Sequence, residues 1–179
     1  MGIEDKSKKI LSDLKSTDIE FVIETIGQIK ESGNSVILMA LIDLLHDSPQ
    51  NIEINKAILD LLAELKDKAS IPTLISAIKN EKYVNERKEL VASCWQNGLN
   101  YNEHLPLFID LIINADFLVA FEAFTVIENM YGIVPEEVIE REVVKIQNAL
   151  IGADEQKAYL LNNVLTIIRD IPEEIHFTD

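Results

Sequence analysis

Apolar residues along this chain recur with the period of a helix, and strand-like alternation is hard to find. Five segments carry an apolar pair, two variable residues and another apolar residue: Ile10–Leu14, Leu41–Leu45, Leu74–Ile78, Phe108–Ile112 and, less perfectly, Ile146–Leu150. Their starts are 31, 33, 34 and 38 residues apart. A second pattern interleaves with the first, with apolar residues at i, i+4 and i+7. It comprises Val22-Ile26-Ile29, Ile58-Leu62-Leu65, Ala123-Ile127-Met130 and Leu161-Leu165-Ile168, with Val91, Trp95 and Gly98 at the matching places of the third repeat. This is the spacing of one helix face.

The two patterns predict first helices over about 4–15, 35–46, 71–80, 104–114 and 136–151, and second helices over about 18–31, 52–67, 85–98, 117–131 and 154–170. Turn and cap residues agree. Thr17 and Glu20 have the spacing of a capping box. Gly33, Gly98, Gly132 and Gly152 each follow an apolar segment, where a left-handed residue ends a helix. Pro72, Pro106 and Pro135 fall at helix starts, where a missing N–H costs nothing.

A helix pair of this length cannot bury its own apolar stripes, but stacked pairs can, which is the logic of repeat proteins. The expected fold is therefore all-α: an α-solenoid of about five antiparallel helix pairs. The repeats run over roughly 1–33, 34–69, 70–102, 103–133 and 134–171 of a single domain spanning 1–179, with a loose tail at 172–179.

The stretch Ala63–Ile78, with Asp67 in the turn before Ile71-Pro72-Thr73-Leu74-Ile75, resembles a HEAT repeat of the short kind named from phycobilisome lyases. Leu105-Pro106-Leu107-Phe108-Ile109 is a second, weaker match. The family often places an arginine early in the second helix. Asn55 or Lys56, then Arg87 or Lys88, stand near that place here, and Phe117-Leu118-Val119-Ala120 has no basic residue. The resemblance implies a right-handed superhelix that binds other proteins along its concave, second-helix face.

Charge narrows the partners. The net charge is −15. Residues 1–88 carry 12 basic and 15 acidic side chains, residues 89–179 carry 4 and 16, and no Lys or Arg lies between Glu89 and Glu140. Nucleic acids and anionic membranes both attract cations, so neither is an expected partner; a basic or amphipathic protein segment is. No apolar run approaches the length of a membrane span, and Met1–Ser7 lacks the apolar core of a signal peptide. The single cysteine, Cys94, allows no intrachain disulfide, and cytoplasmic localisation is expected.

Catalytic chemistry finds little support. His46, His104 and His176 have no His or Cys at i+3 or i+4, and glycine-rich phosphate loops are absent. No metal and no cofactor are expected. Cys94 lies near a helix C-terminus, the wrong end to activate a thiol, and is expected to be buried. Glu136, Glu137, Glu140 and Glu142 are expected to serve the helix dipole and a solvated face.

One segment points to binding. On a helix over 117–131, Ala123, Ile127 and Met130 form the core stripe, while Phe117, Phe121 and Phe124 lie beside it and Tyr131 continues that edge. The apolar arc is wider than one core face requires. Two uses are open: packing against neighbouring helices, or an aromatic groove with acidic flanks such as Glu128. The expected function is a non-catalytic interaction or scaffold module, monomeric or weakly dimeric, with Phe117, Phe121, Phe124, Glu128 and Tyr131 as candidate partner-binding residues. The alternatives are a HEAT-like lyase or other accessory subunit of an enzyme, or a small-ligand regulator.

Overall fold

The computed structural model describes residues 3–29 and 35–169. Among these residues there is no strand, and no helix is long and apolar enough to cross a membrane. Gly33, His176 and the 172–179 tail lie outside the described residues. The chain divides into two compact units, 1–99 and 100–179.

The first unit contains α1 (Ile3–Asp13), α2 (Ile19–Gln28), α3 (Ser35–Asp47), α4 (Ile52–Ala63), α5 (Ile71–Lys79) and α6 (Arg87–Gln96). Helix α1 meets α2 and α3, α3 meets α4 and α5, and α5 meets α6. On the other side of the pairs, α2 meets α4 and α4 meets α6. The interior is made of the expected stripes, including Val22 and Ile26, Leu41, Ile42 and Leu45, Ile58, Leu62 and Leu65, Leu74 and Ile78, and Leu90 and Val91. Cys94 is buried among them, and its thiol donates to the Leu90 carbonyl over 3.5 Å.

The second unit contains α7 (Leu105–Asn114), α8 (Phe117–Glu128), α9 (Glu136–Leu150) and α10 (Glu155–Arg169). Here α7 packs on α8 and α9, and α10 packs on α8, α9 and α7. Phe108, Ile109, Ile112, Ala123, Ile127, Ile146, Leu161 and Ile168 are buried.

Helix ends follow local chemistry. Helix α2 is capped by Asp18, whose carboxylate accepts the Phe21 N–H over 3.2 Å. The expected Thr17 cap is one residue early. Asp is as good a cap as Thr, adds a negative charge at the positive end of the helix, and reaches the N–H three residues on. Pro72 and Pro106 occupy the first turns of α5 and α7, as expected. Each of these helices is entered through a single 3-10 turn, Lys68–Ser70 and Asn102–His104. In the first of these turns Asp67 accepts the Ala69 N–H over 2.9 Å and Ser70 Oγ donates to the Asp67 carbonyl over 2.5 Å.

Gly98 and Gly132 have φ of 68° and 84°, the left-handed conformation expected at helix ends. Gly152 does not adopt it. A Cβ at Gly98 would meet nothing within 4 Å, and one at Gly132 would meet only the Asn100 and Asn102 amides at 3.5 Å. The cost of Gly98→Ala or Gly132→Ala is therefore a backbone cost, about 1–2 kcal/mol each. Gly27 lies inside α2 with open space around it, so Gly27→Ala should instead stabilise by up to about 1 kcal/mol. Urea denaturation of the three variants checks both signs.

Some side chains join residues 31 positions apart. Lys66 Nζ donates to the Asn97 carbonyl over 2.9 Å. Asn100 and Asn102 donate to the Tyr131 and Ile133 carbonyls over 2.7 and 2.9 Å. Arg87 acts over a shorter span: it donates to the Ile78 carbonyl over 3.0 Å and pairs with Glu81 at 2.8 Å.

One acidic residue departs from expectation. Glu136, Glu137 and Glu140 are exposed, but Glu142 is fully buried. It lies one turn before the buried Ile146, on the core face of α9. Arg141 Nε sits 3.1 Å from its Oε1, and Lys145 Nζ 2.6 Å from its Oε2. Lys145 also reaches Asp110 of α7 at 3.0 Å. Burial pushes the Lys145 ammonium down, but its contacts with Glu142 and Asp110 outweigh this and hold it above its ordinary value.

Candidate functional site

Helix α8 begins where Asp116 takes the N–H groups of Leu118 and Val119, over 2.9 and 3.1 Å. This cap sets Phe117 and Leu118 in the first turn. Val119, Ala120, Ala123, Val126 and Ile127 then face the interior. Helix α8 packs against α7 and α10. The opposite arc has no covering helix among the described residues of this unit.

The candidate residues divide accordingly. Phe117 is 38% exposed and Phe121 48% exposed. Their rings lie 6.2 Å apart with planes tilted by 38°, as i, i+4 aromatic neighbours on one face should. Phe124 is buried, Glu128 is exposed, and Tyr131 is exposed just beyond the end of the helix. The aromatic edge is thus a pair at the start of α8, separated from Tyr131 by the polar surface of Thr125 and Glu128. Thr125 and Asn129 bond back onto their own helix, to the Phe121 and Thr125 carbonyls, over 3.1 and 2.8 Å.

Two further exposed apolar residues of this unit were not singled out from the sequence. Leu118 is 59% exposed in the same first turn. Tyr159 of α10 is 68% exposed. The signal for Tyr159 was present: it stands 38 residues after Phe121, as Leu161 stands 38 after Ala123 and Leu165 after Ile127.

The charge on α8 has one sign. Helix α8 and its cap carry Asp116, Glu122 and Glu128 and no cation. Residues 100–179 include 4 basic side chains, Arg141, Lys145, Lys157 and Arg169. Arg141 and Lys145 hold Glu142, and Lys157 Nζ donates to the Ile113 carbonyl over 2.8 Å.

The first unit has a polar cluster of its own. Tyr83 Oη donates to Asp43 over 2.8 Å, and Lys82 pairs with the same carboxylate. His46 Nδ1 lies 3.1 Å from Glu86 Oε2, and its ring meets Tyr83 edge-on at 5.7 Å. Burial pushes Asp43 up, but the bonds from Lys82 and Tyr83 prevail and hold it below its ordinary value. Burial and the bond to Asp43 raise Tyr83. Near neutral pH the carboxylate stays ionised and the phenol stays protonated, so neither is poised for proton exchange. The arrangement fastens α3 to the turn before α6. Beside it an open groove of about 590 Å³ runs over Leu11, Val36, Met39 and Pro72. Among the described residues no three His, Cys, Asp or Glu side chains converge as a metal site would require.

No family model matches the chain, and no curated protein matches it either. Among solved structures, the crystal structure of an engineered protein is similar over 96% of this chain and 84% of its own, at 16% identity and a TM-score of 0.45.

Proposed function

We propose that this chain is a non-catalytic protein-interaction module built of HEAT-like α-solenoid repeats, and that it binds its partner through the exposed face of α8. The observation that carries this reading is the cluster of Phe117, Leu118 and Phe121, large apolar side chains exposed together on a helix whose other faces are packed. Single exposed apolar residues are ordinary, but adjacent ones with a charged border mark binding surfaces. The repeat reading draws on the way helices of like position meet, α1 with α3 and α3 with α5, α2 with α4 and α4 with α6, α7 with α9 and α8 with α10.

The test compares wild type with Phe121→Glu. Residue 121 is half exposed, so the variant should keep its circular dichroism and melting temperature. A partner captured by wild type, identified by mass spectrometry and then purified, should bind the variant about tenfold more weakly or worse. Equal binding by both proteins would remove α8 as the docking surface.

A further inference from the structure

We infer that the occupant of this surface is a basic amphipathic helix lying across α8 and α10, with Tyr159 as an anchor equal in rank to Phe121. The inference rests on the reading of α8 as a docking face and adds to it the occupant and the second helix.

Geometry supplies the first part. Helices α8 and α10 pack directly on each other, and packed helices have axes about 8–10 Å apart. Phe121 and Tyr159 hold the same register position on them and are both exposed. Two anchors separated by roughly one interhelical distance match residues i and i+7 of a crossing helix, which are about 10.5 Å apart. Phe117 and Leu118 extend the apolar surface by one turn of α8. Asn162 and Asn163, beside Tyr159, are bonded back to the Ala158 and Tyr159 carbonyls, both over 2.8 Å. The surface offers rings and an aliphatic side chain. It suits recognition through side chains, as in a helix laid into a groove, and it lacks the open strand edge that an extended peptide would use.

Charge supplies the second part. Asp116, Glu122 and Glu128 border the rings on α8, and Glu155 opens α10. Arg141, Lys145 and Lys157, three of this unit's 4 cations, are engaged by its own carboxylates and a carbonyl. An approaching helix with Lys or Arg flanking its apolar stripe meets an attractive field, while an acidic helix, a nucleic acid or an anionic bilayer is repelled.

The experiment uses the full chain and three synthetic peptides of about 18 residues, or five helical turns. One is a Leu/Lys sequence patterned as an amphipathic helix, one replaces every Lys by Glu, and one scrambles the Leu/Lys order. Fluorescence anisotropy should show binding of the patterned basic peptide, weakened by salt. The scrambled peptide should bind about tenfold more weakly or worse, and the Glu peptide should not bind measurably. Tyr159→Ser and Phe121→Ser should each weaken the patterned peptide about tenfold without changing the melting temperature. Ile52→Ser, at a residue 80% exposed in the other unit, should leave it unchanged. Equal binding of patterned and scrambled peptides, or indifference to Tyr159→Ser, would overturn the inference. Loss of peptide binding alongside a purified partner that still needs Phe121 would do the same, while leaving the α8 reading intact.

Discussion

Phe108→Ala should destabilise the second unit by about 3–5 kcal/mol, the range for removing a buried aromatic ring. Phe108 is fully buried in α7, and its ring meets the buried Tyr101 edge-on, with centroids 6.0 Å apart. Both the lost burial and the lost ring pair contribute. The hole has little means of closing. Pro106 and the Asn102–His104 turn fix the entry to α7, and Asn100 and Asn102 pin the same loop to the Tyr131 and Ile133 carbonyls. Since whole domains are stable by only about 5–15 kcal/mol, the variant should sit near the edge of folding. Phe108→Leu, which keeps most of the volume, should cost no more than about 1.5 kcal/mol. The single tryptophan, Trp95, lies in the first unit, so urea denaturation is best followed by far-UV circular dichroism. A loss below 1 kcal/mol for Phe108→Ala would mean that α7 and α8 collapse into the space.

The second large effect concerns the buried carboxylate. Lys145→Met should cost about 3 kcal/mol, because Glu142 keeps its burial and loses its closest cation. This is the low end for a broken buried pair, since Lys145 is a third exposed and Arg141 remains at the other oxygen. Asp110 loses its partner in the same step, but it is half exposed and should contribute little. Glu142→Leu combined with Lys145→Met should recover most of the loss, as a buried ion pair replaced by apolar groups of similar size is often neutral. A double-mutant cycle in urea separates the pair from its parts. If Lys145→Met were within 0.5 kcal/mol of wild type, Arg141 alone would suffice to hold the charge.

What the sequence disclosed, it disclosed through period. The apolar stripes placed all ten helices of the described residues within a few positions, because burying a stripe is what forms and orients a helix. Where one residue decides, legibility falls. Asp18 displaced Thr17 as a cap because both have the right chemistry and only the backbone selects between them. Glu142 looked like one of four surface acids; its place four residues before Ile146 was a sign of burial, but charge is a stronger expectation than position when no partner is yet visible. The Phe117–Tyr131 edge needed the neighbouring helices: Phe124 and Phe121 are three residues apart, and packing covers one and leaves the other open. Tyr159 was hidden because its counterpart lies 38 residues away, and single exposed rings carry no meaning until two of them line up.

The side-chain ties between separate helices and turns have a kinetic consequence. Lys66–Asn97, Asn100–Tyr131, Asp110–Lys145 and Ile113–Lys157 join residues 31 to 44 positions apart. No tie among them requires distant parts of the chain to find each other before nearer ones have formed. The loops are of similar length, so the entropy of closing each is similar and is met step by step. A chain organised in this way has low contact order, which places its folding with the fast helical proteins rather than with sheets of similar length.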